Sequence, residues 1–156
     1  MIIDFPLRLK PETGGTKVDA IYKASYFNRK LIPLYASNVS AGLPSPAEDQ
    51  IATRLDLNEH LVDDPGSTFF VRVVGDSMID VGIHPGDLLI VDRELRPQNG
   101  KVVIAVIDGE LTVKRLFKED ERLYLMPENS HYPSLEITSD MDFMIWGVVT
   151  NVIHSL

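Results

Sequence analysis

The chain contains no cysteine, and that absence removes disulfides, thiol nucleophiles and zinc–thiolate centres at once. It also lacks any apolar run near the roughly 18 residues that a membrane helix requires. The opening MIIDFPLRLK has neither the basic start nor the small-residue cleavage site of a secretory signal. The cytoplasm is therefore the expected compartment, with no membrane contact. Positive charge is short: 15 Lys and Arg stand against 23 Asp and Glu, for a net charge of −8. A body of that sign is poorly suited to holding a phosphate backbone, so direct sequence-specific DNA binding is not expected.

Several chemistries are missing as patterns. The glycines between Gly75 and Gly86 match no nucleotide fingerprint, and no helix follows them. Asp76, Asp80, Asp87 and Asp92 lack the dense alternation of a calcium loop and read as turn and cap residues. His60, His84, His131 and His154 stand in no recognisable triad and read as turn-capping or solvent-facing. Neither a metal nor another cofactor is expected.

What remains is a chain of 156 residues, enough for one domain or one domain plus an arm. Its charge is uneven. Residues 1–41 hold six Lys/Arg and three Asp/Glu, net +3, while residues 42–156 hold nine against twenty, net −11. A basic arm on an acidic body fits docking onto the body or onto another partner, and equally a merely solvated arm. Pro6, Pro11, Gly14, Gly15 and Pro33 leave one gap, Lys17 to Ile32, long enough for a short amphipathic piece. A helix-turn-helix needs two well-patterned helices, for which there is no room. Residues 1–38 therefore read as an extended arm that packs on the body when ordered. Residues 39–46, VSAGLPSP, are small, uncharged and drawn out by proline, and by composition alone form a linker.

Acids and the spaced Ile51, Leu55, Leu57, Leu61 and Val62 predict one short helix after Pro46 and a looser second turn, ending at Pro65-Gly66. From Ser67 on, the pattern is β. Strands are expected over 69–74, 87–92, 101–107, 111–117, 123–126, 135–138 and 143–153, with hairpin-type turn signals at Asn99-Gly100 and Asp108-Gly109. Seven or eight short strands point to a mostly β fold, a curled antiparallel sheet or small barrel.

Two residues in this stretch suggest chemistry. Ser77 follows Gly75-Asp76 at a strand end, a corner that exposes a hydroxyl and can aim backbone N–H groups, its own and a neighbour's, at an oxyanion. Lys114 lies in an apolar strand with Thr112 and Leu116 on its face. A serine needs a base, and a neutral lysine is a competent one when desolvation lowers its pKa. Taken singly, Ser77 is equally an ordinary turn serine, and Lys114 a surface lysine paired with an acid.

The combination is more specific than its parts. Ser40-Ala41-Gly42-Leu43-Pro44-Ser45-Pro46, Gly75-Asp76-Ser77-Met78, Gly82-Ile83, Gly86-Asp87-Leu88-Leu89-Ile90-Val91-Asp92 and Asp108-Gly109-Glu110-Leu111-Thr112-Val113-Lys114-Arg115-Leu116 occur in that order. Together they resemble the LexA/UmuD family of self-cleaving Ser-Lys proteins, over residues 39–156. The resemblance implies a mostly β domain of the LexA/UmuD C-terminal type with an extended N-terminal arm. It further implies that the Ala41–Gly42 bond is cut by Ser77 with Lys114 as general base, and that no cofactor takes part. Residues 1–41 would be the arm removed by self-cleavage, and 42–156 the peptidase and dimerisation domain. The apolar final strand FMIWGVV in so small a body leads to the expectation of a homodimer before and after cleavage, and the cleaved form of UmuD-like members dimerises. Family members cleave when stimulated by a RecA-like recombinase filament on single-stranded DNA, in the SOS response to DNA damage. Only 41 residues precede Gly42, too few for the DNA-binding domain of a LexA-type repressor. That favours the UmuD-like branch, whose product serves a UmuC-like Y-family translesion polymerase. The arm departs from that branch in length and sequence. The alternatives are a non-cleaving interaction module of the same fold, a LexA-type repressor fragment, and a signal-peptidase-like enzyme, which the missing anchor disfavours.

Overall fold

The computed structural model describes residues 15–24, 30–35 and 51–156, with backbone alone at Tyr35, Ile51 and Ala52. The Ala41–Gly42 bond and the linker around it lie outside the described residues. In chain order the strands are β1 (Lys17–Lys23), β2 (Ile32–Tyr35), β3 (Ile51–Leu55), β4 (Thr68–Val74), β5 (Leu88–Asp92), β6 (Val102–Ile107), β7 (Glu110–Glu119), β8 (Arg122–Met126), β9 (Leu135–Ile137) and β10 (Phe143–Ile153). One short helix, α1 (Leu57–Leu61), lies between β3 and β4, and a single 3₁₀ turn spans Ile79–Val81. All seven strands expected after Ser67 are present, and the fold is mostly β.

The main sheet runs β1-β4-β5-β10-β6-β7-β8-β9, and β1 also pairs with β7 through Lys17 and Thr112. That last pairing closes six antiparallel strands into a barrel, with β8 and β9 extending the sheet beyond it. Closure covers the edge that β1 and the first half of β7 would otherwise present, β8 being paired along the rest of β7.

Two cores explain the composition of the strands. One fills the barrel, with Val18, Val71, Val73, Leu89, Ile104, Val113 and Trp146 among its buried members. The other lies on the opposite face of β6, β7 and β10 and is built from Val103, Ala105, Leu116, Leu125 and Val148. β6 sits between them, which is why VVIAVI is apolar throughout and does not alternate with polar residues.

The segments before Ser67 depart from expectation. Part of the expected arm is a barrel strand: β1 pairs with β4 from Lys17↔Val74 to Lys23↔Phe69 and buries Val18 and Ile21. The helix expected after Pro46 is shorter and later. Ile51–Leu55 is extended and pairs with β2, Ile32↔Leu55 to Tyr35↔Ile51. The helix starts only after Asp56, whose carboxylate accepts the Asn58 N–H (2.9 Å) as an N-cap and the Lys30 N–H (2.9 Å) from across the chain. Those amide donors, that of Lys30 foremost, hold the Asp56 carboxyl below its ordinary pKa.

The two turn signals also behave differently. Asp108 and Gly109, both at positive φ (49° and 82°), make the two-residue β6–β7 hairpin. Asn99-Gly100 makes no hairpin, because β10 lies between β5 and β6. That corner is pinned to β7 instead, through Gly100 N–H to Leu116 O (2.8 Å) and Lys118 N–H to Asn99 Oδ1 (2.8 Å).

Candidate active site

β4 ends at Val74, and the chain reverses through Gly75 at φ +83° to place Ser77 under the barrel wall. The corner is held from several directions. Met78 is wholly buried in the barrel core. The Ser77 carbonyl accepts the Glu128 N–H (2.8 Å), and the Glu128 carbonyl accepts the Asp80 N–H (2.9 Å). Asn129 Nδ2 donates to the Asp76 carbonyl (3.0 Å), and the Tyr132 hydroxyl donates to the Asp76 carboxylate. That contact raises the Tyr132 pKa, since the carboxylate stabilises the protonated phenol. Arg115 of β7 binds Glu128 and the Gly100 carbonyl, so the segment that braces Ser77 is itself tied to the lysine strand.

Lys114 arrives from β7, whose alternation sends Val113 into the barrel and Lys114 to the other face. Its Nζ lies 3.0 Å from Ser77 Oγ, 2.9 Å from Thr112 Oγ1 and 3.0 Å from the Val113 carbonyl. Three acceptors match the three hydrogens of an ammonium group. With one proton gone, Thr112 and Val113 still take both N–H groups, and the lone pair faces Ser77. Burial lowers the Lys114 pKa from 10.5 to about 8, because the charged form loses hydration and has no carboxylate partner among the described residues. The two sequence-predicted residues, 37 positions apart, are therefore brought into direct contact.

A third segment reaches the same place, and it was not foreseen. The Thr16 N–H donates to Ser77 Oγ at 2.7 Å, and the Thr16 carbonyl accepts the Val113 N–H at 3.3 Å. Thr16 and Ser77 are both fully buried. A Cβ on Gly15 would lie 3.8 Å from Lys114 Nζ, and one on Gly75 would lie 2.0 Å from the Gly15 carbonyl oxygen. Gly75 is thus needed for the two backbones to pass so closely, whereas the Gly15 position would leave a Cβ in ordinary contact. The chain entering β1 lies over the serine as a hydrogen-bond donor, its amide N–H directed at Oγ rather than its carbonyl face. Beside it opens a cleft of about 750 Å³ whose lining includes Lys17, Thr112, Lys114, Leu125, Tyr132 and Leu135.

The pattern Gly-Gly-Thr before an alternating KVDAIYK was the available signal for this contact, but only barrel closure gives it meaning. Thr112 was visible as a same-face neighbour of Lys114; its bond to Nζ was not. Among the described residues no helix is long and apolar enough to cross a membrane.

Comparison with known proteins places this geometry in context. The family described as Peptidase S24-like matches residues 33–150. Protein SamA of Salmonella typhimurium (strain LT2) is 47% identical over 122 residues, covering 78% of this chain and 84% of that protein. Protein MucA of Escherichia coli is 44% identical over 141 residues, 90% of this chain and 94% of MucA. LexA repressor 1 of Geobacter sulfurreducens is 37% identical over 122 residues, which span 78% of this chain but 60% of the repressor.

Proposed function

The chain belongs to the Peptidase S24-like family, and from that premise we propose that it is a serine peptidase that cuts its own Ala41–Gly42 bond. The observation that carries the reading is the 3.0 Å contact between Lys114 Nζ and Ser77 Oγ. Neutral Lys114 takes the Ser77 proton as Oγ attacks the Ala41 carbonyl carbon. The oxyanion is received by the N–H of Ser77 and of an adjacent residue, donors worth about 3 kcal/mol each. Collapse breaks the Ala41–Gly42 bond, and the departing Gly42 amine takes the proton from Nζ. A water, deprotonated by Lys114 in turn, releases Ala41 from the serine ester.

Before that, Gly15 and Thr16 must leave. They occupy the ground over Ser77 where a scissile peptide would lie, so this arrangement is the resting one. Stimulation by a recombinase filament on single-stranded DNA acts by favouring the arrangement in which the scissile segment replaces them. The product, residues 42–156, is the accessory subunit of an error-prone Y-family polymerase in the SOS response. Higher identity to SamA and MucA, 47% and 44%, than to the LexA repressor, 37%, supports that branch over a repressor. The chain acts as a homodimer, for which the exposed apolar residues Met144, Val152 and Ile153 of the last strand offer surface.

Intact-mass analysis after incubation with the filament tests the reading. The expected product has 115 residues, 42–156, and Ser77→Ala yields none. A cut elsewhere, or cleavage by Ser77→Ala, refutes it, and sedimentation showing monomers at micromolar concentration refutes the dimer.

A further inference from the structure

Away from the serine, two histidines 70 residues apart in sequence converge on one carboxylate. Asp87 lies at the entry to β5, 4% exposed, while His84 is on the turn before it and His154 follows the end of β10. His154 Nδ1 is 2.6 Å from Asp87 Oδ1, and His84 Nδ1 is 3.7 Å from Asp87 Oδ2. The two rings stand 4.6 Å apart between centroids, and the three donor atoms all lie within 4.8 Å of one another.

The carboxylate is fixed. Its Oδ2 accepts the His84 N–H (2.7 Å), the Asp87 N–H donates to the His84 carbonyl (3.1 Å), and the Val73 N–H donates to the Asp87 carbonyl (3.1 Å). The histidines are movable by comparison, with side chains 38% and 42% exposed. One atom in the group is unexplained by hydrogen bonding. His84 Nδ1 is buried and has no hydrogen-bond partner among the described residues. At 3.7 Å the facing carboxylate oxygen is too far to serve as one. A cation between the donors supplies what that nitrogen lacks.

We propose that His84, Asp87 and His154 form a binding site for a divalent transition-metal ion of the zinc type. Two imidazole nitrogens select against calcium and magnesium, which take oxygen ligands. Two nitrogens and one carboxylate oxygen make three of the four ligands of a tetrahedral zinc, and water can supply the fourth from the open side. Bonds of about 2.0–2.2 Å require donors roughly 3.4 Å apart. The Asp87–His154 pair must open slightly and the longest separation must close, both within reach of ring rotation at His84 and His154. The metal displaces the Asp87–His154 hydrogen bond and leaves each imidazole neutral, with its proton on Nε2. It also ties the end of β10 to the turn that hydrogen-bonds β4 at Val73, two residues before Gly75.

The test is a zinc titration of the chelator-stripped full chain at neutral pH, in competition with a chromophoric chelator. One equivalent per chain is expected. His84→Gln and His154→Gln, singly, should each weaken binding by at least about tenfold. His60→Gln, on α1, should leave it unchanged. Zinc at about 100 times its dissociation constant should raise the melting temperature by roughly 5–10 °C in the wild type and not in the double variant. Circular dichroism confirms that the variants fold. Substoichiometric binding, or one-equivalent binding that survives in the folded double variant, overturns the proposal.

Discussion

Unstimulated cleavage is expected to accelerate about tenfold between pH 7 and pH 9 and to level off above about pH 8, the pKa to which burial lowers Lys114 from 10.5. At pH 7 a lysine of that kind is neutral in about one molecule in ten, against about three in ten thousand for an ordinary lysine. Desolvation therefore raises the population of neutral Lys114, the base of the proposed mechanism, by roughly 300-fold. The same shift has a cost in stability, and its sign is fixed. The folded-state pKa lies below the unfolded one, so the unfolded chain binds more protons between about pH 8 and 10.5. Stability from this group rises with pH through that window, and the full penalty, on the order of 3 kcal/mol at most, applies below it. Lys114→Met keeps an unbranched chain only one atom shorter and removes the charge. It should be inactive at every pH yet melt higher than the wild type at pH 7, with the advantage shrinking as pH passes 8. Lys114→Arg should also be inactive throughout, because guanidinium stays protonated. The assay is a pH–rate profile by intact mass, with melting curves at the same pH values. Cleavage by Lys114→Arg, or a wild-type rate that falls as pH rises while the fold persists, would remove Lys114 from the mechanism.

Gly42→Val should block cleavage without altering the melting temperature, because a β-branched residue prevents close approach of the scissile backbone to Ser77; normal product by mass would place the cut elsewhere. Thr112→Val keeps shape but removes the acceptor 2.9 Å from Lys114 Nζ, so Nζ loses one of its two orienting partners and cleavage should slow by about tenfold. An unchanged rate on gels would show that Val113 O alone suffices. Thr16→Pro deletes the N–H that donates to Ser77 Oγ. Unstimulated cleavage should then speed up several-fold as Gly15 and Thr16 give up the site, and a rate at or below wild type would show that they do not guard it.

How much of this was legible in the sequence depends on how far apart the deciding residues stand. The Asp108-Gly109 hairpin was readable because a two-residue turn and its positive φ angles are local properties. Asn99-Gly100 carries the same local signal, yet its flanking strands are separated by β10, from some 45 residues further on, and no dipeptide encodes that insertion. Ile51 and Leu55 have helical spacing, and Leu55 has equal claim to a strand; the partner Ile32–Tyr35 decides the matter, and α1 begins only where Asp56 can cap it. Local preference lost to pairing at one site and was obeyed at the other.

The site follows the same rule. Ser77 and Lys114 could be named because each has a local mark, a glycine corner and a charge inside an apolar strand. Their separation is set by a hairpin and a strand order that the apolar runs largely define. Thr16 has no such mark. Its amide reaches Ser77 because β1 fills the gap between β4 and β7, and the strand that completes the barrel is also the one that carries Gly15 and Thr16 over the serine. Closure and occlusion are thus one structural event. A chain that vacates the serine must give up its Thr16 contacts to Ser77 and Val113. The Lys17–Thr112 pairing that closes the barrel comes one residue later and is the next to loosen. The remaining pairs of β1, from Val18 to Lys23 along β4, lie beyond that point. On the proposed mechanism, withdrawal of Gly15 and Thr16 would free the serine while most of the barrel stays paired, so that a stable resting state would remain open to stimulation.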